Sequence, residues 1–309
     1  MESPTHRQFE QIEQVRGLLR EAGYVATRAI CTAVFLAQRL GKPLLVEGPP
    51  GVGKTELAKA CAAALESPLL RLQCYEGLDE AKALYEWEYA KQLLYSQILK
   101  DQLGDLLQGV SDLGEAVERL EQQPGGFFSR AFLLPRPLLQ AITSEEPVVL
   151  LVDEIDRADE EFEAFLLELL SDYQVSIPEL GTIAARHVPL VVLTSNATRE
   201  VSDALRRRCL HLFIDFPAPQ EEAEVVKLRV PDLPERLVHK LVAMVHRLRG
   251  WELEKSPTLS ETLDWARALV ALGAESLDAD LVRDTMSVIL KTRRDLERGR
   301  KEVQNLLKV

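Results

Sequence analysis

The sequence predicts an α/β fold followed by an all-helical C-terminal unit. Three observations carry this. Five short apolar runs (43–47, 69–73, 147–152, 190–196 and 210–216) alternate with helical patterns. The first run feeds Gly48-Pro49-Pro50-Gly51-Val52-Gly53-Lys54-Thr55, which has the form G-x-x-x-x-G-K-[ST]. Beyond Pro217-Ala218-Pro219 no convincing strand pattern remains.

The chain has 309 residues, of which 46% are hydrophobic, enough for a large core in one or two domains. Its net charge of −12 disfavours nucleic acid as the main partner, although a ring can hide a basic pore. The four cysteines, Cys31, Cys61, Cys74 and Cys209, form no C-x-x-C pair and read as reduced thiols. Met1 to His6 does not read as a signal peptide, and no apolar run approaches membrane-spanning length. The expectation is a cytoplasmic protein.

Taken in order, residues 6–22 predict a helix with Phe9, Ile12, Val15, Leu18 and Leu19 on one stripe. A second helix, 26–40, leads to the first strand. Between them, Tyr24-Val25 either lines an adenine pocket or is an ordinary helix–helix turn. After the strand, the glycines let the backbone turn with positive φ and approach an anion. The loop's N–H groups and the N-terminus of the helix begun by Thr55-Glu56 then cradle phosphates. Lys54 adds a positive charge at the β and γ phosphates, and the Thr55 hydroxyl ligates Mg²⁺.

A second strand at 69–73 precedes a helical stretch, 80–103, rich in aromatics. Tyr85, Trp87, Tyr89 and Tyr95 there suit core or interface better than a ligand box. Residues 104–123 predict another amphipathic helix, closed by Pro124-Gly125-Gly126. The third strand ends in Asp153-Glu154, a Walker B element. Paired carboxylates at a strand end are costly unless a cation is present. Asp153 is expected to hold Mg²⁺, and Glu154 to orient and deprotonate an attacking water.

A helix at 159–172 leads to a hairpin at 173–184. The fourth strand carries a polar tip, Thr194-Ser195-Asn196, whose asparagine can reach the water or the γ-phosphate. Arg206-Arg207-Arg208 is either a solvated basic patch or a set that positions one arginine against a phosphate on a neighbouring subunit. Residues 220–309 predict helices at 220–228, 233–249, 258–273, 278–290 and 291–307, the last charge-laced and exposed.

These motifs, in this order, resemble an AAA+ ATPase, and more narrowly the MoxR family. Residues 74–79, 85–94, 165–170 and 261–269 add particular similarity to MoxR-like proteins linked to carbon monoxide dehydrogenase and related molybdenum enzymes. The resemblance implies a P-loop core with a five-stranded parallel sheet in the order 5-1-4-3-2, over residues 1–217. It implies a helix 2 insert near 120–140, the hairpin near 173–184 as a second insert, and an α-helical lid over 218–309.

The resemblance places ATP on residues 48–56 and Mg²⁺ on Thr55 and Asp153, and Tyr24 and Val25 stay the candidates for its adenine on their position alone. It gives catalytic roles to Lys54, Glu154, Asn196 as sensor 1, and Arg208 as arginine finger, with Arg207 next. It further implies a hexameric ring, a chaperone activity, a von Willebrand A-domain partner and a metalloenzyme client. One position departs from the family: Ser256-Pro257-Thr258 stands where the sensor 2 arginine belongs, and the nearest helix arginine is Arg267.

ATP rather than GTP is expected, since the Asn-Lys-x-Asp pattern is missing. The rival reading is a clamp-loader or helicase-loader ATPase, because Arg208-Cys209 resembles the clamp loaders' Ser-Arg-Cys. The acidic charge and the absence of a zinc knuckle stand against it.

Overall fold

The computed structural model describes residues 7–98, 132–178 and 180–308. In chain order, α1 (Ile12–Glu21) and α2 (Arg28–Leu40) precede β1 (Leu44–Glu47), α3 (Lys54–Ala64) and β2 (Leu69–Gln73). Next come α4 (Glu80–Leu84), β3 (Tyr85–Trp87), α5 (Tyr89–Ile98), β4 (Leu133–Pro135) and α6 (Pro137–Thr143). Then follow β5 (Val149–Asp153), a 3₁₀ turn (Ile155–Arg157), α7 (Glu160–Asp172), β6 (Gln174–Ile177) and β7 (Gly181–Ala184). β8 (Leu190–Ser195), α8 (Asp203–Arg208) and β9 (Leu210–Phe213) complete the strand-bearing part. The rest is helical: α9 (Pro219–Arg229), α10 (Glu235–Arg249), α11 (Leu259–Ala271), α12 (Ala279–Ile289), α13 (Arg293–Lys301) and α14 (Val303–Leu306).

The main sheet runs β2-β5-β8-β1-β9, every pair parallel. Numbering its strands one to five along the chain gives 5-1-4-3-2, the order expected. Every residue of β1, β5 and β8 is buried, as continuous apolar runs covered on both faces must be. After β1 the chain crosses to the far edge of the sheet, leaving β1 between β8 and β9. The carboxyl end of β1 therefore lies at a topological switch, where open α/β sheets bind ligands.

Two apolar clusters cover the faces of this sheet. A third lies wholly within residues 223–306, around the fully buried Trp265. The Trp265 indole donates to Thr285 Oγ1 at 2.8 Å, so burying its one polar atom leaves nothing unsatisfied.

Several elements differ from expectation. The first helix starts at Ile12, not at residue 6. Phe9 instead precedes the helix and is buried, its N–H donating to Gln38 Oε1 at 2.9 Å. The aromatic stretch from residue 80 is no single helix. Tyr85–Trp87 forms a short strand antiparallel to Leu133–Pro135. The two rings, on one side of that strand, meet edge to face at 5.9 Å. Tyr89 is exposed rather than packed.

The last helix is two, broken at Glu302, whose φ of −102° and ψ of 12° leave the helical range. It is not simply exposed either. Val303 and Leu306 are buried, and Gly299 fits so closely on Leu290 that an added Cβ would stand 2.8 Å away. The predicted helix at 104–123 and most of the insert near 120–140 lie outside the described residues. No helix among the described residues is long and apolar enough to cross a membrane.

Candidate nucleotide site

The loop after β1 needs its glycines for space as well as dihedral freedom. Gly48 has φ 153°, and a Cβ there would stand 1.9 Å from the carbonyl oxygen of Ile214. Gly51 has φ 72°, and its Cβ would collide with Thr258 at the start of α11. Thr258 lies in the stretch where the resemblance led us to expect an arginine. The helical unit therefore reaches the loop through a small hydroxyl side chain.

Lys54 is buried, and its ammonium uses three acceptors: the carbonyls of Gly48 and Pro49, each at 2.7 Å, and Asn196 Oδ1 at 2.8 Å. Burial pushes its pKa down. Asp156, Asp153 and Glu154 oppose that shift without cancelling it.

Thr55 and Asp153 meet across the sheet, Oγ1 donating to Oδ1 at 2.9 Å. Oδ1 also accepts from Thr194 Oγ1 at 2.6 Å, and Thr194 in turn accepts the Glu154 N–H at 2.9 Å. Arg71 donates from Nε and Nη2 to Oδ2 of Asp153, at 3.1 and 2.6 Å. Glu154 sits in the left-handed region at φ 58°, turning the chain out of β5 into the 3₁₀ turn. Such strain persists only where the surroundings impose it. Its Oε2 accepts from Gln73 at 2.9 Å and Arg157 at 3.1 Å, and Asn196 Nδ2 approaches Oε1 at 3.5 Å.

The structure thus brings Lys54, Thr55, Asp153, Glu154 and Asn196 to one end of the sheet. Thr194, from the polar tip of the fourth strand, joins them, as do Arg71, Gln73 and Arg157, of which the motifs gave no notice. Asp156 is a further addition. It is buried, with Oδ2 accepting twice from Thr198 and Oδ1 without a partner among the described residues.

Beside the loop lies a cavity of about 510 Å³ lined by Tyr24, Val25, Gly53, Glu56, Phe216 and Arg229, among others. Tyr24 is buried with its ring 3.6 Å from where a Gly53 Cβ would be, and its hydroxyl pKa is pushed up by burial. Arg267 also lines this cavity, paired with Asp264 at 3.0 Å. Arg229 Nη2 holds Glu56 at 2.7 Å, tying α9 to α3.

The three arginines of α8 are not equivalent. Arg206 is tied to Glu47 at 3.1 Å. Arg207 and Arg208 are exposed, and neither makes an ion pair or side-chain hydrogen bond among the described residues.

Thr55 and Asp153 offer hard oxygen donors side by side, which suits Mg²⁺ carried in with a nucleotide. Among the described residues no cluster of three or more His, Cys, Asp or Glu could hold a metal alone.

Residues 43–209 match the family profile described as AAA domain (dynein-related subfamily). No curated protein matches the chain. Solved structures of similar fold include a Thermotoga maritima RuvB variant, at 20% identity over 91% of this chain and 71% of that one, TM-score 0.48. Another is the Thermotoga maritima RuvB Holliday junction branch migration motor, at 19% identity over 90% and 74%, TM-score 0.46.

Proposed function

The chain belongs to the AAA domain family, dynein-related subfamily, and is an ATPase; from that premise we propose that each of its sites is completed by an arginine of a neighbouring copy in a ring. The observation that carries this is the pair of exposed guanidiniums, Arg207 and Arg208, which have no ion pair or side-chain hydrogen bond among the described residues, on a helix whose first arginine is held in its own subunit. A phosphoryl-transfer site gathers cations around the γ-phosphate. This one supplies Lys54 from within; of the two exposed arginines, we take Arg208 as the one that serves the neighbouring site, on the resemblance, with Arg207 next.

In the proposed reaction the loop's N–H groups and Lys54 bind the phosphates, Lys54 leaving its carbonyl acceptors to do so. Asn196, which touches both Lys54 and Glu154, holds the attacking water beside the carboxylate. Glu154 takes the proton from that water as its oxygen attacks the γ-phosphorus in line. The bond from that phosphorus to the β–γ bridging oxygen breaks, and ADP leaves opposite the incoming water with inorganic phosphate as the second product. Thr55 and Asp153 would hold Mg²⁺, which would supply charge neutralisation on the phosphate oxygens. Arg208 of a neighbour stabilises the equatorial oxygens, and the base and ribose occupy the cavity at Tyr24 and Val25. The nucleotide domain is proposed to end at 217, with the helical lid beyond.

We further propose a MoxR-type chaperone role, as a hexamer acting with a von Willebrand A-domain protein on a metalloenzyme. The stretches at 74–79, 85–94, 165–170 and 261–269 support this reading. The ATPase assignment is tested by Glu154→Gln, which should bind ATP with near-native affinity and give no single-turnover hydrolysis. Retained turnover would remove Glu154 from the base's role.

A further inference from the structure

Glu47 is the last residue of β1, directly before Gly48 of the phosphate loop. Its side chain is 8% exposed, and a charge so buried is costly unless paired. Two groups from much later in the chain satisfy it. Oε1 accepts from Nη2 of Arg206 at 3.1 Å, and Oε2 bonds Nε2 of His211 in β9. The register explains the second bond. β1 and β9 pair with Glu47 opposite Phe213 and Leu45 opposite His211, so His211 stands one diagonal step from Glu47 on the same face.

The first bond has a geometric consequence for α8. Arg206, Arg207 and Arg208 are its last residues. Residues two apart on a helix do not share a face. With Arg206 turned inward to Glu47, Arg208 is turned away from it, which fits its exposure. The base of α8 is held as well. Its cap Ser202 donates its N–H to the buried Glu163 at 2.8 Å, and Leu205 is fully buried.

We infer that Glu47 is a positioning residue: through Arg206 it clamps α8 to the strand that carries its own subunit's phosphate loop, and so sets where Arg208 stands in the neighbour's site. This rests on the trans-arginine reading above. The clamp joins two sites. One end of it is a residue away from Gly48, and the other is two residues from the arginine lent to the next subunit. Whatever moves the loop on nucleotide exchange pulls on the arginine next door.

The test separates lending an arginine from using one. A Glu154→Gln subunit cannot hydrolyse at its own site but still presents Arg208. An Arg208→Ala subunit keeps its own site and lends nothing. Mixing the two should restore turnover. Glu47→Gln is then added to the Glu154→Gln donor, whose own site is already silent, so only the lent arginine is read. Light-scattering mass establishes equal assembly, and a fluorescent ATP analogue establishes equal nucleotide affinity.

The expected result is restoration about 10²-fold weaker than with the parent donor, the scale of an ångström's misplacement. Arg206→Gln in the donor should do the same. It breaks the bond from its half-exposed end and decides the matter if Glu47→Gln fails to fold. Full restoration by the Glu47→Gln or Arg206→Gln donor would overturn the clamp. No restoration by the parent donor would overturn the trans arginine itself, and the clamp with it.

Discussion

Arg71 grips Asp153 with two nitrogens on one carboxylate oxygen, at 3.1 and 2.6 Å. The other oxygen of Asp153 faces Thr55 and Thr194. The acid proposed to hold the metal is thus oriented from both sides before any ligand binds, and one partner is itself a cation. Arg71 is half-exposed, so its pull on Asp153 is screened. Arg71→Gln should lower the Mg²⁺ concentration needed for half-maximal ATPase by no more than about fivefold, the scale of an exposed ion pair. A Mg²⁺ titration of the rate checks this; a raised requirement would make Arg71 a helper of the metal, not a competitor.

Glu154 should tolerate loss of its exposed partner. Arg157 is 60% exposed, and such pairs contribute roughly 0.2–1 kcal/mol. Arg157→Ala should therefore change kcat by less than about fivefold. Steady-state rates for Arg157→Ala beside Glu154→Gln decide whether the proposed base depends on this contact.

These two expectations expose what the sequence made legible. Gly48 to Thr55 and Asp153-Glu154 are contiguous motifs whose chemistry follows from residue type and order. Arg71 and Gln73 are not, because each meets its partner 82 and 81 residues away. Only the parallel pairing of β2 with β5 brings them together, with Gln73 opposite Asp153. An arginine inside an apolar strand was the one available signal. Similarly, the triple arginine left its roles open until Glu47 took Arg206 out of contention. The aromatic stretch after residue 80 misled in the opposite way: Tyr85 and Trp87 alternate as a strand, too briefly for a period of two to stand out from a helical run.

The helical unit should prove sensitive at Glu222. This carboxylate is wholly buried, accepts from Arg249 at 2.6 and 2.9 Å, and takes a further bond from Thr262 at 2.7 Å. Arg249 Nε also holds the Pro257 carbonyl at 2.8 Å, next to Thr258 against the loop. Removing one partner of a buried pair costs about 3–5 kcal/mol. Glu222→Ala should lose that much in denaturant unfolding and weaken ATP binding as Thr258 shifts.

The tie between Glu56 and Arg229 should fade in acid. Burial pushes the Glu56 carboxyl up, but the Arg229 guanidinium and Lys59 outweigh it and hold it below its ordinary 4.5. A depressed carboxyl stabilises the fold above its unfolded pKa, and that stability is lost as pH falls through the folded value. Melting curves of wild type and Glu56→Gln should differ near neutrality, by at most about 1 kcal/mol for so exposed a pair. They should converge below the ordinary carboxylate range. A constant offset across pH would show that the charge is irrelevant.

The thiols should be inert. Burial pushes Cys61 and Cys74 up to about 12, so neither is a thiolate near neutral pH. Iodoacetamide at mildly alkaline pH should label them only after unfolding, as mass spectrometry would read.

The central claim is that the site is completed by a neighbour's Arg208. Its most direct test is ATPase rate per subunit against protein concentration, with light-scattering mass on the same samples, for wild type and Arg208→Ala. A trans-acting Arg208 requires a wild-type rate that rises with oligomer mass. The rate in Arg208→Ala should be about 10³-fold or more lower, at unchanged ATP affinity and unchanged mass. A rate that is the same in monomer and oligomer, or a fully active Arg208→Ala, would contradict it.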